Sequence, residues 1–249
     1  MHSIAGPGPV PEGEESYGPG VDQGTGSMIP EIVVFLGPSL APETAAGILP
    51  ADYRPPAKRG DITDAARGGA RIITLVDGVF FQDCSVGHRE ILAALQGGAR
   101  VIGASSMGAL RAAELDTLGM EGVGRIYRLY RDGVLIADDE VALVFDPGTG
   151  IALSEPLINI RCTLAKAEEE GVIGHGAGSL LLATAQSLYF PDRTWETILA
   201  SAGPGIPGDE LHRLRDFVRD HAVDQKRHDA EEAILRTRDL ARELGIPGC

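Results

Sequence analysis

Three short segments carry residues that could share acyl chemistry. They are "FLGPSL", with Gly37 and Ser39; "TLVDGVFFQDCSVGHREIL", with Asp77 and His88; and "RVIGASSMGALRAAEL", with Ser105, Ser106, Gly108, Arg111 and Glu114. Each begins as an apolar run and breaks into small or polar residues. The third passes from an apolar run through two serines into an alanine-rich helical stretch, and alanine is the best helix former. In a nucleophile elbow, G-x-S-x-G, the glycines permit a tight strand-to-helix turn that lifts the serine over a helix N-terminus. Here the order Gly103-Ala104-Ser105-Ser106-Met107-Gly108 is one residue too long for that motif. What survives is the context: a strand, small residues, Ser-x-Gly and a helix. As chemistry, Ser106 would be a nucleophile or a substrate anchor, His88 its base, and the N–H groups near Ser106 to Gly108 the oxyanion donors. As structure, the serines are an N-cap and its neighbour.

The remaining polar residues of these segments read in two ways each. Ser39 is either a turn cap or, with the N–H groups after Gly37, a holder of an oxyanion or carboxylate. "FLGPSL" lacks both the dinucleotide glycine fingerprint and the Walker lysine, so nucleotide binding has little support. Asp77, directly before Gly78, is a turn or N-cap residue or a catalytic one, with His88 close in sequence at the same rim. A helix N-terminus favours neutral imidazole, which leaves His88 able to accept a proton. Arg111 and Glu114, three apart, pair on a helix face or leave Arg111 to reach an anionic ligand. The acids Asp138, Asp139 and Glu140 are a charged first turn, a solvated edge, or a patch for a metal or a basic partner, with no histidine beside them. Nothing around Cys84 marks a lowered thiol pKa, so a sulfur relay there has little support.

Elements must bring these segments to one place. Strands are expected at Ile32–Leu36, near Tyr53–Pro55, at Arg71–Val76 and at Arg100–Gly103, with helices at Pro42–Ile48, Asp61–Arg67 and Gly87–Gln96 between them. Continuous apolar strands alternating with helices predict an α/β fold: a parallel sheet with helices on both faces. "AARGGARIITL" and "ALQGGARVIGA" each read as a helix end, a Gly-Gly cap and an entering strand. Ligands of such sheets collect outside the carboxyl ends of the strands, where the three segments end. After "DDEVALVFDPGTGIAL" the strand signals fade into an all-helical C-terminal region: Pro156–Gly171, Gly174–Tyr189, Thr194–Ser201 and Asp209–Leu244. The last is interrupted by "DQKRHDAEE" and reads as a helix broken near Asp224 or as a docking arm.

Residues 1–30 hold seven glycines, five prolines and four acids without Lys or Arg, a composition that cannot offset the entropy of ordering. Met28 offers an alternative start. The expected division is a disordered Gly/Pro-rich tail at 1–30, an α/β core domain at 31–152 and a helical region at 153–249. The formal charge of −14 opposes binding to nucleic acid or to an anionic membrane. Three scattered cysteines suggest neither a disulfide framework nor a zinc site, and point to the reducing cytoplasm. No run is long enough for a transmembrane helix and no export signal opens the chain.

The combination of "VVFLGPSL", "DGVFFQDCSVGHREILAAL", "VIGASSMGALRAAELDTLGMEGVGRIYRLYRDG", "DDEVAL" and "LSEPLINIR" resembles the TfuA-like family, from about Ile32 to Arg161. The resemblance implies a part in peptide backbone thioamidation, as in the biosynthesis of ribosomally made, modified peptides. The partners it implies are a YcaO enzyme, which activates the peptide amide with ATP, a ThiS-like ubiquitin-fold sulfur carrier with a C-terminal thiocarboxylate, and a precursor peptide. It implies hydrolysis of that thiocarboxylate to supply sulfide, with no metal or organic cofactor. Gly37, Ser39, Asp77, His88, Ser105, Ser106, Arg111 and Glu114 fall on the resembling segments. Small residues at Gly37, Gly78, Gly103 and Gly108 would admit a flexible Gly-Gly tail. A non-catalytic adaptor that recruits the carrier or activates the YcaO enzyme stays open, as does an unrelated hydrolase of small esters.

Overall fold

The computed structural model describes residues 31–80, 84–146 and 148–248; the expected tail at 1–30 lies outside the described residues. Five strands, β1 (Ile32–Phe35), β2 (Asp52–Arg54), β3 (Ile72–Leu75), β4 (Arg100–Ala104) and β5 (Glu121–Val123), form one all-parallel sheet in the order β2-β1-β3-β4-β5. Phe35 lies opposite Leu75, and Leu75 opposite Gly103, so β1, β3 and β4 end at one level. Their following residues therefore share one rim. The chain order reverses between β1 and β3, which is where doubly wound sheets open a crevice.

Both faces of the sheet are covered, as the continuous apolar strands require. Val33, Phe35, Ile73, Leu75 and Val101 join a core with α2 (Asp61–Arg67), α3 (His88–Gln96), α4 (Met107–Leu115) and α5 (Gly124–Arg131). Ile32, Val34, Ile72 and Ile102 alternate with them and face a second core. That core is closed by α1 (Pro42–Ala46) together with the last helix of the chain. The two Gly-Gly turns place Gly69 and Gly98 in the left-handed region, and the amides of Ala70 and Ala99 then reach back to Ala65 and Ala94.

The strand β5 and helix α5 had no counterpart in the expected elements. Gly122 and Gly124 give "EGVGRIY" the look of a turn, but a side chain on Gly122 would strike the Tyr127 ring, so this glycine serves close packing.

Beyond the sheet, α6 (Leu157–Glu169), α7 (His175–Ser187), α8 (Trp195–Ala202) and α9 (Gly208–His221) enclose a third core around Ile160, Leu164, Leu181, Ile198, Leu214 and Phe217. The long C-terminal helix breaks at Ala222, whose backbone is extended, and Asp224 caps α10 (Gln225–Glu243) by accepting from the Arg227 amide at 3.0 Å. Helix α10 then returns to the sheet, burying Ala230, Ala233, Ile234, Leu240 and Ala241. It packs as part of the body. No helix among the described residues is long and apolar enough to cross a membrane.

Candidate functional site

At the crevice between β1 and β3, the carboxylate of Asp77 accepts the amides of Gly37 (2.9 Å) and Ser39 (3.1 Å) and the Ser39 hydroxyl (2.7 Å). The turn after β1 is thus tied to the end of β3. Ser105 extends the network: its Oγ donates to the carbonyl of Lys226 at 2.8 Å and lies 3.1 Å from Ser39 Oγ. Ser105 is the non-glycine residue with positive φ, at 64°, among those described. A non-glycine residue in that region stores strain of about 1–2 kcal/mol, and such residues gather at sites where the surroundings hold them in place. Ser39 and Ser105 are both buried and both engaged.

Ser106 differs. It occupies the N-cap position of α4, yet its side chain makes no capping bond, and its hydroxyl has no hydrogen-bond partner among the described residues. It is 2% exposed and lines a cavity of about 470 Å³. The cap reading of the serine pair therefore fails for both side chains. Of the amides expected to hold an oxyanion, that of Ser106 donates to the Ala104 carbonyl at 2.7 Å and that of Gly108 to the Val76 carbonyl at 3.2 Å, which leaves the Met107 amide, at a helix N-terminus that favours negative charge, beside the unpartnered hydroxyl.

Asp77 and Lys226 also line that cavity. Lys226 is 2% exposed; its Nζ donates to the carbonyl of Val141 at 2.9 Å and stands 3.9 Å from Asp77 Oδ1. Burial pulls the ammonium below its ordinary range, while the negative charges of Asp77 and Asp224 push in the opposite direction, with burial the larger effect. Its place in the first turn of α10 also disfavours positive charge. Asn159 fixes that turn, accepting the amides of Gln225 (2.9 Å) and Lys226 (3.2 Å) through Oδ1. Lys226 escaped the reading of the sequence because it sits inside the charged run "DQKRHDAEE", which looks solvated.

The cavity wall comes from the segment after the three acids. Glu140, 4% exposed, takes a forked pair of bonds from Arg161, and Asp139 pairs with the fully buried Arg193 at 2.9 Å. The three acids form a charged first turn, as one expectation had it: Asp138 is solvated, while Asp139 and Glu140 are paired and hold the segment before Val141 in place, and no metal cluster is found among the described residues. The partner of Glu140 is the arginine of "SEPLINIR", 21 positions on, and that of Asp139 lies 54 positions on.

The three remaining candidates form a separate group. His88 begins α3 and its Nε2 lies 2.7 Å from Glu114 Oε2, which also accepts from Arg111 at 2.6 Å. Arg111 donates further to the carbonyl of Val86 at 2.8 Å. None of the three lines the cavity, and the bond made by His88 goes to Glu114 and not to Ser106. Arg111 and Glu114 pair as their spacing suggested.

The glycines do not form a slot for a tail. A side chain on Gly108 would overlap the Leu75 carbonyl, and one on Gly37 would meet Pro56. One on Gly103 would collide with the Gly108 carbonyl and with Met120. Gly103 and Gly108 let α4 lie directly on β3 and β4, and Gly37 admits Pro56; of the four, Gly78 lines the cavity.

A family model described as TfuA-like protein matches residues 77–194. The matched segment contains Asp77, His88, Ser105, Ser106, Gly108, Arg111 and Glu114, while Gly37, Ser39 and Lys226 lie outside it. No curated protein matches the chain.

Proposed function

With this chain a member of the TfuA-like protein family, whose members are implicated in thioamidation, we propose that it hydrolyses the C-terminal thiocarboxylate of a ubiquitin-fold sulfur carrier. The sulfide released feeds a YcaO enzyme acting on a peptide. The observation that carries this reading is the free Ser106 hydroxyl at the head of α4, in one cavity with a buried lysine.

The chemistry balances with residues of this chain. Ser106 Oγ attacks the thiocarboxylate carbon while its proton passes to the amine of Lys226, whose pKa burial pulls down, and the oxyanion forms beside the Met107 amide at the N-terminus of α4. The C–S bond then breaks, and the departing sulfur takes the proton from Lys226. Water, deprotonated by the same amine, opens the Ser106 ester; the amine returns that proton to the departing Ser106 Oγ, and the carboxylic acid formed gives its proton to the hydrosulfide. The sum consumes one water and yields one carboxylate and one hydrogen sulfide. Asp77 holds Ser39 and lends charge balance to Lys226, whose backbone Ser105 keeps in register.

The test is mass spectrometry of a thiocarboxylated carrier incubated with the full chain. Conversion of its terminus to carboxylate, with an acyl adduct on Ser106 during turnover, supports the reading; an unchanged terminus refutes it.

The group of exposed His88 and Glu114 with the half-buried Arg111 favours a second reading, in which the chain is an adaptor that recruits the carrier or activates the YcaO enzyme. Under that reading thioamidation survives Ser106→Ala and fails with Glu114→Arg.

A further inference from the structure

The cavity is larger and more apolar than a terminal acyl group requires. A thiocarboxylate has three heavy atoms, on the order of 100 Å³ at the ~30 Å³ that one water occupies in the liquid. The cavity holds about 470 Å³, within the range of about 300–1,000 Å³ of sites that enclose a whole small ligand. Its polar lining is Asp77, Ser106 and Lys226, with Lys226 Nζ 3.9 Å from Asp77 Oδ1, and the rest of its lining is apolar or aromatic. That part of the lining includes Val79, Phe80, Val144, Phe145, Tyr189 and Phe190. Tyr189 is 66% exposed and packs edge-on against Phe190 at 4.9 Å, so it stands at the mouth.

From this we infer that the cavity is a specificity subsite for an apolar side chain close to the C-terminus of the carrier. This rests on the proposed hydrolysis and adds what part of the carrier is read. A round space of 470 Å³ is about 10 Å across, and an extended chain advances about 3.3–3.6 Å per residue, so about three residues fit. With the terminal acyl carbon at Ser106, the reading side chain belongs to one of the last three residues. Among the described residues that line the cavity, none but Asp77 and Lys226 is charged. An acidic or basic side chain there would lose its water without compensation.

Calorimetric titration of the full chain with the tripeptide acids Leu-Gly-Gly, Phe-Gly-Gly, Ala-Gly-Gly and Asp-Gly-Gly tests this without requiring turnover. The expected result is Leu or Phe binding at least about tenfold tighter than Asp, with Ala between. Tyr189→Ser, a change at an exposed position that leaves the core intact, is expected to narrow that gap. Equal affinities, or no binding by any of the four, overturn the inference. A Leu preference in a protein that leaves the corresponding thiocarboxylates intact would keep the subsite and remove the hydrolase reading.

Discussion

The hydroxyl of Ser105 donates to the carbonyl of Lys226 at 2.8 Å, joining the turn before α4 to the first turn of α10 across 121 positions of the chain. One buried bond thereby couples the serine pair of the sheet rim to the lysine delivered by the C-terminal helix. Ser106 and Lys226 share a cavity because their neighbours and backbones are tied in this way.

The left-handed backbone of Ser105 separates two substitutions. Ser105→Ala keeps the strain and leaves buried polar groups short of a partner, a loss of about 1–3 kcal/mol. Ser105→Gly loses the same hydroxyl but removes the side chain that makes positive φ costly, so it is expected to be about 1 kcal/mol more stable than the alanine variant. Denaturant midpoints of the two variants give the comparison. A glycine variant less stable than the alanine variant contradicts it.

Stability is expected to depend on pH through Lys226. Its amine is pulled below the ordinary 10.5 by burial, so between the two values the unfolded chain binds more protons than the folded one. Stability from this group therefore rises as pH increases from the lowered value toward 10.5. Lys226→Met removes that slope. Urea unfolding of parent and variant over this interval measures it, and parallel curves would refute the burial argument.

Gly108→Ala forces a methyl into the Leu75 carbonyl, backbone that cannot yield, and is expected to cost at least about 3 kcal/mol or prevent folding. Gly119→Ala meets open space and pays only for positive φ, about 1 kcal/mol. Thermal melts of the pair check the contrast.

Much of this arrangement was legible in the sequence. The strands β1, β3 and β4 are continuous apolar runs that end in small residues, and the rule for parallel sheets already brought Ser39, Asp77 and Ser106 to one rim. The α10 contribution was hidden, because Lys226 and Asp229 are buried within a run of charges that hydropathy assigns to water. Pairing of such groups depends on contacts between distant segments. The same holds for Glu140 and Arg161, and for His88, whose partner Glu114 lies 26 positions away.

Arg161→Met strands the buried carboxylate of Glu140 while the arginine side is partly open to water, a loss of about 1–3 kcal/mol. Replacing both residues with Met is expected to recover most of that stability. Chemical denaturation of the two single variants and the double variant closes the cycle; a double variant no better than Arg161→Met contradicts the pairing.

The central claim is that Ser106 carries the acyl chemistry. Its most direct measurement is the rate of sulfide release from a thiocarboxylated carrier by the Ser106→Ala protein beside the parent. The expected loss is at least about 100-fold, of the size seen when a single catalytic group is removed, with carrier affinity retained. Release at the parent rate would contradict the account and leave the chain an adaptor.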